Sequence, residues 1–202
     1  MTDTTSGRLG KIVLAVALAI SFSAVLVGCG SSASKTTPPS ATAKGALAVA
    51  QSTLATTAPD AKLLVVQTGS VVTSAAAPVW QYLFGSPKTN TVYAVTVRSG
   101  AATATPYGSA GLTAADWKAV PALDQWKIDS NEALQKALAA YPNATGATAY
   151  LMGFVTYTPP KATKSTTKAM VWDVTFDPTT LGKETTSTVH VNATTGDVTK
   201  GK

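Results

Sequence analysis

Cysteine, histidine and arginine are almost missing from this chain. Among 202 residues there is one cysteine, Cys29, one histidine, His190, and two arginines, Arg8 and Arg98. A single cysteine excludes an intrachain disulfide and any cysteine-rich metal site. A single histidine without a second cysteine cannot complete a typical zinc ligand set. A Ser-His-Asp triad would have to recruit that one imidazole, and no nucleophile-elbow motif accompanies it. Nucleic-acid binding needs basic side chains gathered on one face with interleaved aromatics. Here the densest basic cluster is Lys161, Lys164 and Lys168, in a Pro-, Thr- and Ser-rich stretch that reads as a loop. No Walker or dinucleotide glycine loop occurs.

Acidic residues are scarce too, ten in all. Asp60, Asp116 and Asp124 sit in turn or cap contexts and have no cluster that would cage calcium. Asp173 and Asp177 share a strand face, but four residues of strand separate their backbones by about 13 Å, too far for a glycosidase pair. His190 falls on the polar side of its own strand with Thr188 and Asn192, which reads as a solvated histidine. These absences predict a protein that is not an enzyme, with no catalytic residue, no metal ligands and no cofactor.

Long apolar runs are limited to one. From Ile12 to Val27 the chain is apolar apart from Ser21 and Ser23, after a polar start carrying Arg8 and Lys11. As an α-helix those 16 residues reach about 24 Å, short of the ~30 Å hydrocarbon core. The segment suits a signal-peptide core better than a permanent span. Leu26-Val27-Gly28-Cys29 follows and resembles the bacterial lipobox: a branched apolar residue three before the cysteine and a small one directly before it. That resemblance implies cleavage after residue 28 and a lipid, diacylglyceryl with further acyl groups such as palmitate, on Cys29. Two or three acyl chains anchor stably, each buried CH₂ contributing about 0.8 kcal/mol. The expected place is the extracytoplasmic side of the cell membrane. Without residues 1–28 the chain keeps a mild, dispersed net charge of +5.

Residues 29–43 read as a flexible tether, since positions 30–43 hold no large apolar side chain. Fourteen such residues have an r.m.s. span of about 20 Å.

The rest of the chain repeats itself. Val79-Trp80-Gln81-Tyr82-Leu83-Phe84 and Val171-Trp172-Asp173-Val174-Thr175-Phe176 both read Val-Trp-x-apolar-x-Phe and run into a turn. Alternation places Trp80, Tyr82 and Phe84 on one strand face and Trp172, Val174 and Phe176 on another. A second strand follows each: Val92–Arg98 in one case, Thr188–Asn192 in the other. A helix and an earlier strand precede each. Leu47, Ala50, Leu54 and Ala58 make the first helical stripe, before Lys62–Gln67. Leu134, Ala137, Leu138 and Tyr141 make the second, before Ala147–Tyr157. Asp129 and Glu132 are placed to form a capping box at the second helix, which Pro142 ends. The expected fold class is α+β: two tandem units, 44–100 and 129–202, each a helix on a small antiparallel sheet. Residues 101–128 read as a connector with Trp117 packed against a unit. Units so small are expected to pack on each other.

Three segments of the second unit carry a family resemblance. They are Asp129-Ser130-Asn131-Glu132-Ala133-Leu134, Val171 to Phe176, and Val189-His190-Val191-Asn192-Ala193-Thr194-Thr195-Gly196-Asp197-Val198. Together they resemble a PepSY domain over about 70 residues. The first unit is a weaker copy in which Val97-Arg98-Ser99-Gly100 shortens the family's ending. PepSY domains occur in propeptides of thermolysin-type metalloproteases and in many envelope proteins. The resemblance therefore implies a protein- or peptide-binding role, with restraint of a peptidase as one form of it.

Trp80 and Trp172 are the candidate binding residues. Either both anchor the cores of their sheets, or one lines a groove for an extended peptide added at an open sheet edge. The competing expectation is a carrier that holds a small apolar ligand or lipid between helix and sheet. No nucleic-acid partner is expected.

Overall fold

A run of small residues opens the folded body. Thr42 is in extended conformation and its hydroxyl accepts from the Gly45 N–H at 3.1 Å, starting helix α1, Ala43–Leu54. The helix buries Ala43, Ala46, Ala50 and Leu54, a stripe at helical spacing whose short side chains let its backbone approach the sheet. Pro59 follows closely and cannot continue the helix.

Residues 42–68, 77, 79–144, 147–157, 167–176 and 187–201 are described in this computed structural model, by backbone alone at 148–157 and 167–168. The expected signal peptide, Cys29, most of the tether, Lys161, Lys164 and Asp177 lie outside the described residues. No described helix is long and apolar enough to cross a membrane.

After α1 come four strands: β1 Lys62–Gln67, β2 Val79–Ser86, β3 Thr91–Arg98 and β4 Ala101–Ser109. A short helix α2, Ala114–Ala119, and a 3₁₀ turn, Leu123–Gln125, lead to helix α3, Ser130–Ala140. Four more strands follow: β5 Thr148–Tyr157, β6 Thr167–Phe176, β7 Ser187–Asn192 and β8 Val198–Lys200. The fold class is α+β, and a helix followed by four strands occurs twice.

The eight strands form one sheet in the order β4-β3-β2-β1-β5-β6-β7-β8. Each neighbouring pair is antiparallel. The halves therefore do not own separate sheets. They join edge to edge where β1 pairs β5, in the register Val65↔Met152, Val66↔Leu151 and Gln67↔Tyr150. Aromatic side chains also meet near this seam: Trp80 and Trp172 make an edge-to-face contact at 6.3 Å.

The connector expectation for 101–128 is corrected at its start. Residues 101–109 are β4, paired along the whole of β3. The Ser99-Gly100 turn that joins them has φ of 53° and 81°, the left-handed pair that a two-residue hairpin requires. Beyond it, Thr113 and Asp116 build a reciprocal capping box that starts α2. Trp117 of α2 packs on the sheet face away from α1, against Gly85. A Cβ on Gly85 would stand 2.5 Å from the Trp117 ring and 2.9 Å from Leu64. Only glycine fits under that indole.

The main core lies between the sheet and helices α1 and α3. Tyr82, Phe84, Val95, Trp172, Val174, Phe176, Val189 and Val191 come from the strands, and Ala50, Leu54, Ala133, Leu134 and Ala137 from the helices. Burying each of the larger side chains contributes about 1.5–3 kcal/mol.

Candidate functional site

Both candidate binding tryptophans are sealed. Trp80 is 1% exposed and Trp172 is fully buried, so of the two expectations for them the core role holds for both, and the candidate binding role, with one lining a groove, is corrected. Alternation along β2 and β6 sends them under the helices, where a third indole, Trp126, contacts Trp172 at 5.9 Å. The indole N–H groups of Trp126 and Trp172 both donate to the Ile128 carbonyl, at 2.7 and 2.8 Å. The backbone N–H groups of Lys127 and Ile128 in turn donate to the Ala193 carbonyl. Two buried indole donors are satisfied by one loop, and that loop delivers the chain to α3 in a fixed position.

At that point the two helix N-termini meet. Asp129 precedes α3, as expected, but its carboxylate does not form the capping box with Glu132. It accepts from the Ser130 N–H at 2.6 Å and from the Lys44 N–H of α1 at 3.0 Å. The Ser130 hydroxyl accepts from the Ala43 N–H at 3.0 Å. Residues of the second half thus satisfy free N–H groups in the first turn of α1. The carboxylate also lies at the positive end of both helix dipoles. Lys44 completes the junction: its ammonium donates to the Trp126 carbonyl at 3.0 Å and lies 5.9 Å from the Trp126 ring centroid. From below, the Tyr82 hydroxyl donates to the Ala43 carbonyl at 2.6 Å. Burial, with the nearby Asp129 charge adding to it, pushes the Tyr82 phenol far above its ordinary range. All these donors and acceptors serve each other, which makes the junction a clamp between halves.

His190 is less solvated than its sequence position suggests. It stands opposite Asp173 in the β6–β7 register, and its Nδ1 lies 2.6 Å from the Asp173 carboxylate. The side chains are 34% and 20% exposed. The hydrogen bond to Asp173 raises the His190 pKa; burial opposes this and the Asp173 charge adds to it. Beside the pair, the Thr175 and Thr188 hydroxyls share a hydrogen bond at 3.3 Å. This is a polar cross-strand cluster, with Gly201 beside the far side of the imidazole. No described group of three or more His, Cys, Asp or Glu side chains gathers to hold a metal ion.

Asp60 serves structure. Its carboxylate accepts from the Lys88 N–H at 2.8 Å and from the Ser86 hydroxyl at 2.9 Å, pinning the β2–β3 turn. The Lys88 N–H, with the Ser86 hydroxyl adding to it, holds its pKa below the ordinary carboxylate value. Near the end of α1 a cleft of about 220 Å³ is lined by Gln51, Leu54, Ala55, Ala61 and Phe84 among others. That is less than the roughly 300 Å³ at which ligand pockets usually begin.

The open feature is the sheet edge at β4. Ala101, Thr103 and every residue from Thr105 to Ser109 are exposed, while Ala102 and Ala104 are half-buried. No described strand pairs the outer side of β4, so a row of its backbone N–H and C=O groups faces solvent. No charged side chain guards it. Alternating Ala and Thr was its only sequence signal, a pattern with too little contrast in hydrophobicity to read as a strand. No protein-family model matches the chain, and neither a curated protein nor a solved structure matches it.

Proposed function

We propose that this is a lipid-anchored envelope protein that holds a protein or peptide partner by strand addition at the free edge of β4. The observation that carries the reading is the exposed, uncharged edge itself, nine residues long. Backbone hydrogen bonds supply affinity in such complexes, and side chains on alternate sides supply selectivity. The rest of the body acts as a rigid mount, its two helices clamped at their N-termini and its tryptophans locked in the core. The lipobox-like Leu26-Val27-Gly28-Cys29 supports placement at the membrane surface, and the PepSY resemblance of the second half supports a peptidase among the partners. A carrier of a small apolar ligand or lipid is the second reading. Its support is the cleft beside Phe84, whose small volume accommodates only part of an acyl chain.

A photo-reactive side chain placed at Thr103 of the full-length protein, in its own membranes, tests the reading. The expected result is cross-linking to a distinct envelope protein, abolished when Ala101 and Thr105 are both changed to Lys. Equal cross-linking from Thr199 on β8, or none from Thr103, would contradict it. Membrane attachment is tested by Cys29→Ala, which should release the protein or leave it uncleaved. Unchanged attachment at unchanged mature size would defeat the lipid anchor.

A further inference from the structure

We infer that the β4 edge selects an extended segment that is apolar and uncharged at the alternate positions facing α1 and acidic at the end lying beside Arg98. This rests on the strand-addition reading and names the chemistry of the partner it needs.

The usable edge is shorter than β4. Pro106 has no N–H to donate, and the β3–β4 register slips between Val92 and Tyr93, where Gly108 and Pro106 stand opposite. Regular pairing is therefore offered by Ala101 to Thr105, about 16 Å of strand. Such a short seam suits a peptide segment.

What flanks the seam sets the pattern. Helix α1 lies over β3 and β4. Gln51 and Ala55 line the cleft on the side of α1 toward Ala61 and Phe84. At about 100° per residue, Val49 occupies the opposite flank of α1. Val49, Ala102 and Ala104 are half-buried apolar residues packed at the margin of the core. Two of the three are alanine, and all three remain partly exposed. A strand added about 4.8 Å beyond β4 would lay every second side chain along them. A charge there would lose water and find no counter-charge, since β4 carries none.

The other face reads differently. Thr103 and Thr105 are exposed there, and Arg98, opposite Ala101 in the register, is exposed and makes no ion pair among the described residues. An antiparallel partner brings its C-terminal end to Ala101. A carboxylate on the outer face of that end comes within reach of the guanidinium.

The test uses the full-length protein in detergent micelles and the acetylated, amidated peptide Thr-Val-Thr-Val-Thr-Val-Glu. Two companions carry Lys in place of the last two Val, or N-methyl groups on alternate amides; a third ends in Gln. Backbone amide shifts of Ala101 to Thr105 report binding. The parent peptide should bind at least tenfold more tightly than the Lys and N-methyl versions. Arg98→Gln should weaken the Glu peptide several-fold and leave the Gln peptide unchanged. Equal binding of the Lys version at β4 would overturn the inference while leaving strand addition intact. Unchanged affinity of the Glu peptide for Arg98→Gln would overturn its acidic part. Concentration-dependent protection of β4 without peptide would make a second copy the occupant and overturn it outright. If neither these peptides nor a randomised extended library reaches β4, the strand-addition reading itself fails.

Discussion

The two halves of the sheet share their order of elements and differ at their outer limits. The first ends in β4, nine residues with no charged side chain, regular over Ala101 to Thr105 and interrupted at Pro106; the second ends in β8, three residues. A three-residue edge offers little backbone to pair, and short edge strands are a common defence against unwanted pairing. On the face away from the helices, the first half is covered by Trp117 over Gly85, whereas the second carries the Asp173–His190 pair. The capping is also unequal. Thr42 caps only α1, while Asp129 accepts from first-turn N–H groups of both helices. The second half thus supplies the side chains of the clamp, and the first carries the longer free edge.

That division can be broken experimentally, beginning in the shared core. Trp172→Ala should cost about 3–5 kcal/mol, because it empties the space against Trp80 and Trp126 and removes a donor to Ile128. Chemical denaturation would measure it, and a loss under 1 kcal/mol would show that the halves are not joined through these rings. Gly85→Ala should cost about 1–3 kcal/mol by forcing Trp117 off β2, with a change in tryptophan fluorescence. Unchanged stability and emission would mean α2 is not seated on the first half as described.

The caps give a smaller and more pointed comparison. Asp129→Ala should cost about 1–2 kcal/mol and Thr42→Ala about half as much. The asymmetry also predicts that Asp129→Ala speeds amide exchange at Lys44 of the opposite half. If the two variants are equal and Lys44 is unaffected, the clamp is not shared.

The smallest effect is the pH dependence of the second half. The pKa of His190 is raised on folding, so its pairing with Asp173 stabilises fully below the unfolded histidine value of about 6.5. The contribution is lost as pH rises through the folded value. Partial exposure keeps it under about 1 kcal/mol. Asp173→Asn should flatten the stability profile from slightly acid to mildly alkaline pH; an unaltered slope would remove the pair from the account.

These contrasts also explain which parts of the fold were legible in the sequence. Trp172-x-Val174-x-Phe176 announced a buried strand face because polar Asp173 and Thr175 alternate with it; in Trp80-x-Tyr82-x-Phe84 the aromatic spacing did so, although Leu83 between them is buried too. The helical stripes were legible in part: Ala50, Leu54, Leu134 and Ala137 are buried as expected, whereas Leu47, Leu138 and Tyr141 are half-buried, Ala58 lies beyond the end of α1, and Ala43, Ala46 and Ala133 complete the buried faces. β4 was not legible, because its inward residues are alanines chosen to let α1 come close and its outward ones face water. Asp129 was recognisable as a cap, yet its second partner, Lys44, is 85 residues away and no local pattern reports it. Asp173 and His190 were each placed on a polar strand face. That they meet depends on the β6–β7 register, which residue spacing alone leaves open.

The most direct test of how this protein works compares its two sheet edges during binding. Amide hydrogen exchange should be followed at Ala101–Thr105 and at Val198–Lys200 in the membrane-bound, full-length protein, with and without envelope extract. Selective slowing along β4, with β8 unchanged, is the predicted result. Slowing confined to β8, or no slowing at either edge while a partner is demonstrably bound, would contradict it.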